Sequence, residues 1–186
     1  MTPSRGEVLA LVGQHVANEH LRRHMIATEA IMRALAPHCD GDPEEWALAG
    51  LAHDLDTEQT ATDFSRHGQN AADLLRAHGV SDEVAHAVAA HNQDTGVIAK
   101  SPMDVALIAA DQLSGLVTAA ALVRPDRSLA GVQVKSLRKR FKETAFARGV
   151  DRESIRRCQE LGLPLDEFMA IGLEAMQGVA AELGLA

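Results

Sequence analysis

Aromatic residues are nearly missing from this chain, which has no tyrosine, one tryptophan and four phenylalanines among 186 residues. That scarcity excludes a core built on packed rings and removes the flat platforms that hold single-stranded nucleic acid. Cysteine is scarce as well: Cys39 and Cys158 are the whole complement. They give neither a disulfide framework nor a paired-thiolate metal motif, and a reducing compartment suits them. Positive charge is the minority sign, 18 Lys and Arg against 26 Asp and Glu for a formal net charge of −8. Nonspecific nucleic-acid binding is therefore not the expected task. The apolar residues that remain are Leu, Ala, Val, Ile and Met. Alanine and leucine lead the helix propensities, and strand formers are thin. The expected fold is all-α, a single domain over residues 1–186 with its core at about 18–125 and the helices of 126–186 packed upon it.

Neither long apolar stretch reads as a membrane or export segment. Leu9 to Val12 is too short for a signal-peptide core, and Glu7 and His15 interrupt it. Val105 to Val123 approaches the length of a bilayer span, but it contains Asp111 and Gln112, and a carboxylate at mid-membrane costs about 2.5–3.5 kcal/mol on insertion scales. The second stretch is better read as a central helix of a protein expected in the cytoplasm, with no membrane partner.

Helix signals recur along the chain. Apolar spacing predicts helices over about Gly6–Ala17 and His20–Ala36, the second closed by Pro37. Asp42-Pro43-Glu44-Glu45 supplies a cap, a first-turn proline and acidic first-turn residues for a helix reaching Leu51. Polar residues 54–66 predict a loop. Further helices are expected from His67 to Gly79, from Ser81 to about His91, from Ser101-Pro102 to Arg124-Pro125, over Val132–Arg148 (a basic helix), after Asp151, and from Leu163-Pro164 to the end.

The chemistry-bearing residues are imidazoles and carboxylates spread over several of these helices. His24 shares the apolar spacing of Leu21, Thr28 and Ile31. Asp111 follows six apolar residues with no basic neighbour within a turn, and a buried carboxylate is costly unless paired or coordinating a cation. His53-Asp54 closes the third helix, where neighbouring side chains can converge as they cannot inside a regular helix. Singly, His24 reads as a core histidine and Asp111 as a carboxylate awaiting an arginine. Together they read as a site for a divalent metal.

Leu21-Arg-Arg-His24, Trp46-Ala-Leu-Ala-Gly-Leu-Ala-His-Asp-Leu-Asp56 and Ala109-Ala-Asp-Gln-Leu-Ser-Gly-Leu116 resemble the signature of the HD-domain metal-dependent phosphohydrolase superfamily, in its small bacterial branch with an HD-I-G-like motif. The resemblance implies a helical bundle and a metal held by His24, His53, Asp54 and Asp111, with His53 and Asp54 central to catalysis. Members with two metals add two histidines, and the matching positions are His67 and His91, with Asp54 as the implied bridge. Where the branch has a glycine after the pair, this chain has Leu55-Asp56-Thr57-Glu58. Asp56 and Glu58 are candidates for orienting ligands, with a direct ligand role less favoured. Without the family, His67 reads as a surface histidine at a helix start and His91 as one favoured by a helix C-terminus.

The resemblance implies hydrolysis of a phosphate ester or anhydride by metal-activated water, with one or two divalent ions. The donor set admits Fe, Mn, Co, Ni or Zn. The implied partner is a small phosphorylated compound, nucleotides included, and the missing Gly-Tyr-Pro sequence disfavours a cyclic dinucleotide. Two alternatives are a mixed-valence di-iron oxygenase of the same superfamily and a noncatalytic metal-binding signalling module. Cations for an anionic substrate are offered by Arg23, beside Arg22, and by Lys135, Lys139 and Lys142 on one face of the basic helix, where a solvated surface is the commoner meaning. The sequence specifies no oligomeric state. His20 could pair with His24 across one turn, and His15, His38, His78 and His86 lie in polar, solvated settings.

Overall fold

Local capping starts most of the helices. In a computed structural model, which describes residues 2–186, Ser4, Asn18, Asp42, Ser81, Ser101 and Asp151 each accept hydrogen bonds from the first free backbone N–H groups of a helix. The helices they open are α1 (Arg5–His15), α2 (Glu19–Leu35), α3 (Pro43–Ala52), α5 (Asp82–Ala90), α6 (Pro102–Leu122) and α8 (Arg152–Arg156). Between and after these lie α4 (Gln69–Ala77), α7 (Val134–Lys142), α9 (Leu165–Gly178) and α10 (Ala180–Leu183), and no strand occurs among the described residues. The fold is all-α, as expected.

One hydrophobic cluster joins these helices, from Val8 and Leu11 of α1 to Leu183 and Leu185 at the C-terminus. Helix α6 runs through its middle. By length and composition α6 could cross a bilayer, but 67% of its most apolar window is buried inside the fold, so its hydrophobicity is spent on packing. Helix α2 packs against α3, α6 and α9. Its approach to α3 depends on Gly50: a Cβ there would fall 2.7 Å from the Thr28 carbonyl oxygen and 2.8 Å from the Glu29 Cα. The two backbones touch one turn before His53, and that contact brings His53 to His24.

The boundaries depart from expectation in two places. The basic helix stops at Lys142 instead of reaching Arg148. Beyond it Arg152 gathers the carbonyls of Glu143, Phe146, Ala147 and Val150 around a turn in which Ala147 takes a left-handed φ of +45°, a conformation no right-handed helix continues through. The last helix breaks at Val179. The chain then turns so that the Leu185 carbonyl accepts from the Leu129 N–H at 2.8 Å, which pins the C-terminus beside the end of α6.

His86 is also not solvated as expected. It is half-buried and bonds through Nδ1 to the fully buried Asp104 at 3.0 Å, while the N–H groups of Lys100 and Ser101 donate to the same carboxylate. Burial alone would raise the Asp104 pKa, but these donors outweigh it and hold the group below the ordinary value. A carboxyl depressed in the native state stabilises fully above its unfolded pKa of about 3.9 and loses that contribution as pH falls through the native value. Asp104→Asn is therefore expected to cost about 1.5–3 kcal/mol at pH 7. In denaturant melts the gap between the two proteins should close below about pH 4.

Candidate metal centre

Six side chains from five separate elements converge at one end of α3. His24 comes from the middle of α2, His53 and Asp54 from the end of α3, His67 from the turn before α4, His91 from the end of α5 and Asp111 from α6. His53, Asp54, His67 and His91 are buried, whereas His24 and Asp111 are half-exposed, with side-chain exposures of 24% and 19%. The full burial expected of Asp111 is thus corrected: its carboxylate forms part of a cavity wall. The ligand atoms of His24, His53 and Asp111 lie within 4.8 Å of one another, as do those of His53, Asp54 and His91.

Hydrogen bonds on the outer side of each ring fix its direction. Nδ1 of His53 donates to the Gly50 carbonyl at 2.8 Å and that of His91 to the Val88 carbonyl at 2.6 Å. Nδ1 of His67 donates to Asp56 Oδ1 at 2.8 Å. The Ser114 hydroxyl gives its proton to the Asp111 carbonyl and accepts from His24 Nδ1 at 2.9 Å. With every Nδ1 committed outward, every Nε2 points inward. His24 and His53 meet at 3.2 Å and His67 and His91 at 3.1 Å, nitrogen to nitrogen. Two lone pairs at that separation repel unless positive charge lies with them.

Asp54 sits between the two pairs. Its Oδ2 is 3.6 Å from His24 Nε2 and 3.4 Å from His53 Nε2, and its Oδ1 is 3.1 Å from His67 Nε2 and 3.5 Å from His91 Nε2. Asp111 Oδ1 joins the first pair, 2.9 Å from His24 and 3.8 Å from His53. Burial would depress the His53 imidazolium, but Asp54 and Asp111 reverse this and lift it to about 9. His67 is likewise lifted to about 9 against its burial by Asp54 and Asp56. The histidines in turn hold both Asp54 and Asp111 ionised well below the usual carboxylate range, although burial opposes it. The donor set is imidazole and carboxylate without sulfur, which suits a borderline divalent transition metal.

A cavity of about 310 Å³ opens onto this cluster. Phe64, whose ring stacks on His67 at 4.7 Å, forms one side. Asp151 and Ser154 form another, and no lysine or arginine lines it. Of the cations proposed for a substrate, Arg23 reaches a neighbouring cavity that shares only His24 with the cluster. Lys135, Lys139 and Lys142 line a separate depression on α7 that has no residue in common with either. Arg22 bonds to carbonyls at the end of α1, and Glu58 accepts from the N–H groups of Ala17 and Asn18, so both hold the α1–α2 connection. His20 and His24 form no pair, since His24 turns its Nε2 into the cluster.

Three supporting residues carried weak signals or none. Ser114 lies one turn after Asp111 on α6, and that spacing is its only trace in the sequence. Gln112 donates to Asp111 Oδ2 at 2.8 Å and accepts from the Asp151 N–H at 2.8 Å, a contact across 39 residues. Asp56 is buried and takes up the orienting role: besides His67 it accepts from the N–H groups of Gly68 and Ala71. Gly68 is required there, because its φ is +91° and a Cβ would fall 2.8 Å from the Val88 carbonyl oxygen. Asp56→Ala is expected to weaken metal retention by about 10–100-fold in chelator competition. The N–H groups it strands should lower stability by about 1–3 kcal/mol. Unchanged metal affinity in a folded variant would remove Asp56 from this role.

Residues 21–116 match the family model described as HD domain, and this stretch carries all six converging residues. Ribonuclease Y of Oleidesulfovibrio alaskensis is 32% identical over 116 residues, which is 59% of this chain and 21% of that protein. The chain thus spans only about a fifth of this curated relative's length. No solved structure matches it. With more than half of its length matched and the cluster inside the matched region, the chain belongs to the HD domain family.

Proposed function

We propose that the chain is a metal-dependent phosphohydrolase acting on a small phosphorylated compound. The observation that carries the reading is the position of Asp54, whose two oxygens are divided between two histidine pairs 3.1–3.6 Å away. A carboxylate in that position suits a bridge between two divalent ions, with His24, His53 and Asp111 on one side and His67 and His91 on the other. Ions bound there would supply Lewis acidity toward a phosphoryl oxygen and bring the pKa of water toward neutrality. The protein's own part is to hold the donors rigid through their Nδ1 bonds and to shield the inner face, where His53 is fully buried. In the overall step the water oxygen bonds to phosphorus, the ester P–O bond breaks and the departing oxygen takes a proton, giving an alcohol and phosphate.

Small substrates are favoured over a long polyanion. The name of the Oleidesulfovibrio relative refers to RNA, but it belongs to a protein of which this chain matches only a fifth. Here the net charge is −8, and the cavity at the cluster is lined by no cation. With no cation at that mouth, charge to receive a phosphoryl group there would come from ions held by the cluster itself.

The test combines elemental analysis of purified protein with phosphate release from nucleotides and phosphomonoesters and with strand cleavage of an oligoribonucleotide. Asp54→Asn is expected to lose one or both metal equivalents and to reduce turnover by more than the roughly 10–100-fold typical of an outer partner of a ligand. Wild-type protein with no transition metal, and no release from any ester under Mn, Co, Ni, Zn or Fe, would overturn the reading. Cleavage of the oligoribonucleotide alone would move the substrate class from small molecule to RNA.

A further inference from the structure

The cation-free mouth leaves unexplained how a substrate with more than one negative charge would be held. The neighbouring cavity answers this. It encloses about 540 Å³ along the seam between α2 and α6 and has His24 as part of its wall, within the size range of small-molecule sites. On α6 the lining residues descend one face from Gly115 through Thr118 to Leu122. Seven residues of helix cover about 10 Å, so the groove runs from beside His24, its one residue of the cluster, to the far end of α6. On α2 its wall is His20, Arg23 and His24, one turn of the helix.

Its chemistry is mixed in a particular way. Leu122 is 49% exposed, and with Ala119 and Leu185 it gives the groove an apolar floor. Two guanidiniums, Arg23 and Arg127, and the His20 imidazole complete it, and no carboxylate lines it. Glu19 pairs with Arg23 one turn away, and the Arg23 guanidinium also lies against Gly184, where a Cβ would meet it at 2.6 Å. Arg23 thus shares its charge with an exposed carboxylate, a weak pairing that an incoming anion can displace. Arg127 differs: its neighbour Arg124 is spent on Asp126 and the Gly131 carbonyl, whereas Arg127 makes no ion pair or side-chain hydrogen bond among the described residues. It also sits at φ +49°, a left-handed conformation that disfavours any residue but glycine. An uncommitted cation on a strained backbone thus stands beside an exposed apolar floor.

We infer that this groove takes the distal part of the substrate: an apolar body along Leu122 and Ala119, and a second anionic group between Arg23 and Arg127. The substrate class is therefore a phosphate ester with two separated anionic ends. The inference rests on the phosphohydrolase reading only for which end reacts, since binding in the groove requires no turnover.

Calorimetric titration of the full chain with hexanediol bisphosphate and with hexyl phosphate tests it. The bisphosphate is expected to bind about tenfold or more tighter, in keeping with one added charged hydrogen-bonding group. Arg127→Gly keeps the left-handed turn without strain, so it should unfold thermally at or above the wild-type temperature while losing about tenfold in bisphosphate affinity. Arg23→Gln should lose a similar factor, with hexyl phosphate held within about twofold in both variants. Leu122→Glu should weaken both ligands. Equal affinity for the two ligands in the wild type, or full bisphosphate affinity in folded Arg127→Gly, overturns the inference. If no ester is hydrolysed but this order of affinities holds, the phosphohydrolase reading fails and the groove stands. If esters turn over without regard to the second anion or Arg127, the groove inference alone fails.

Discussion

Four imidazoles aimed at one another across a carboxylate form the constraint on which the rest of the structure depends. Each Nδ1 is committed to an oxygen behind it, so the rings cannot turn to relieve the contact between their Nε2 atoms. The cluster demands positive charge at two points, one in each histidine pair. A proton on His53, favoured by Asp54 and Asp111, and another on His67, favoured by Asp54 and Asp56, meet that demand, and these carboxylates lift both groups to about 9 against their burial. Two divalent cations meet it as well, with more charge at each point. A site arranged in this way is prepared for cations before any arrives, and little reorganisation is left for the binding step.

That preparation is costly, and the fold bears the cost. Bringing His53 to His24 needs α2 and α3 at backbone contact, which Gly50 permits. Bringing His67 to His91 needs a turn that only Gly68 can make, with Asp56 beneath it accepting the N–H groups the turn exposes. The apolar mass of α6 then holds Asp111 and Ser114 against α2. Alanine dominates these interfaces because small side chains allow helices to approach closely, and a chain nearly without aromatic residues has few large groups to prop them apart.

How much of this was legible in the sequence follows from the range of each signal. His53-Asp54 and His24 could be read because helix periodicity and the helix end place them without knowledge of tertiary structure. Asp111 could be read because a carboxylate amid six apolar residues violates local expectation, though its partial exposure could not. The Asp56 bonds needed the turn at Gly68, and the Gln112–Asp151 bond spans 39 residues. The early stop of α7 at Lys142 was illegible for the same reason: the basic pattern runs on, and the carbonyls are claimed by Arg152, farther along the chain. Local chemistry was visible, and long-range hydrogen bonds that redirect it were not.

The groove is the extreme case of that difference, and it bears on how an acidic protein can handle an anionic substrate at all. With 26 acidic residues against 18 basic ones, long-range attraction is unavailable and every positive contact must be local, within roughly a Debye length of 8–10 Å. The sequence offered Arg23 beside His24 and, on α7, Lys135, Lys139 and Lys142 among five basic residues that lie close together. Yet Arg138 and Arg140 are paired with Asp166 and Glu143, and the lysines line a depression of their own. Arg23 and Arg127, 104 positions apart in the sequence, line the cavity beside His24, together with the Gly184–Leu185 turn that the Leu129 N–H holds in place. Clustering along the chain thus does not determine which cations gather in space.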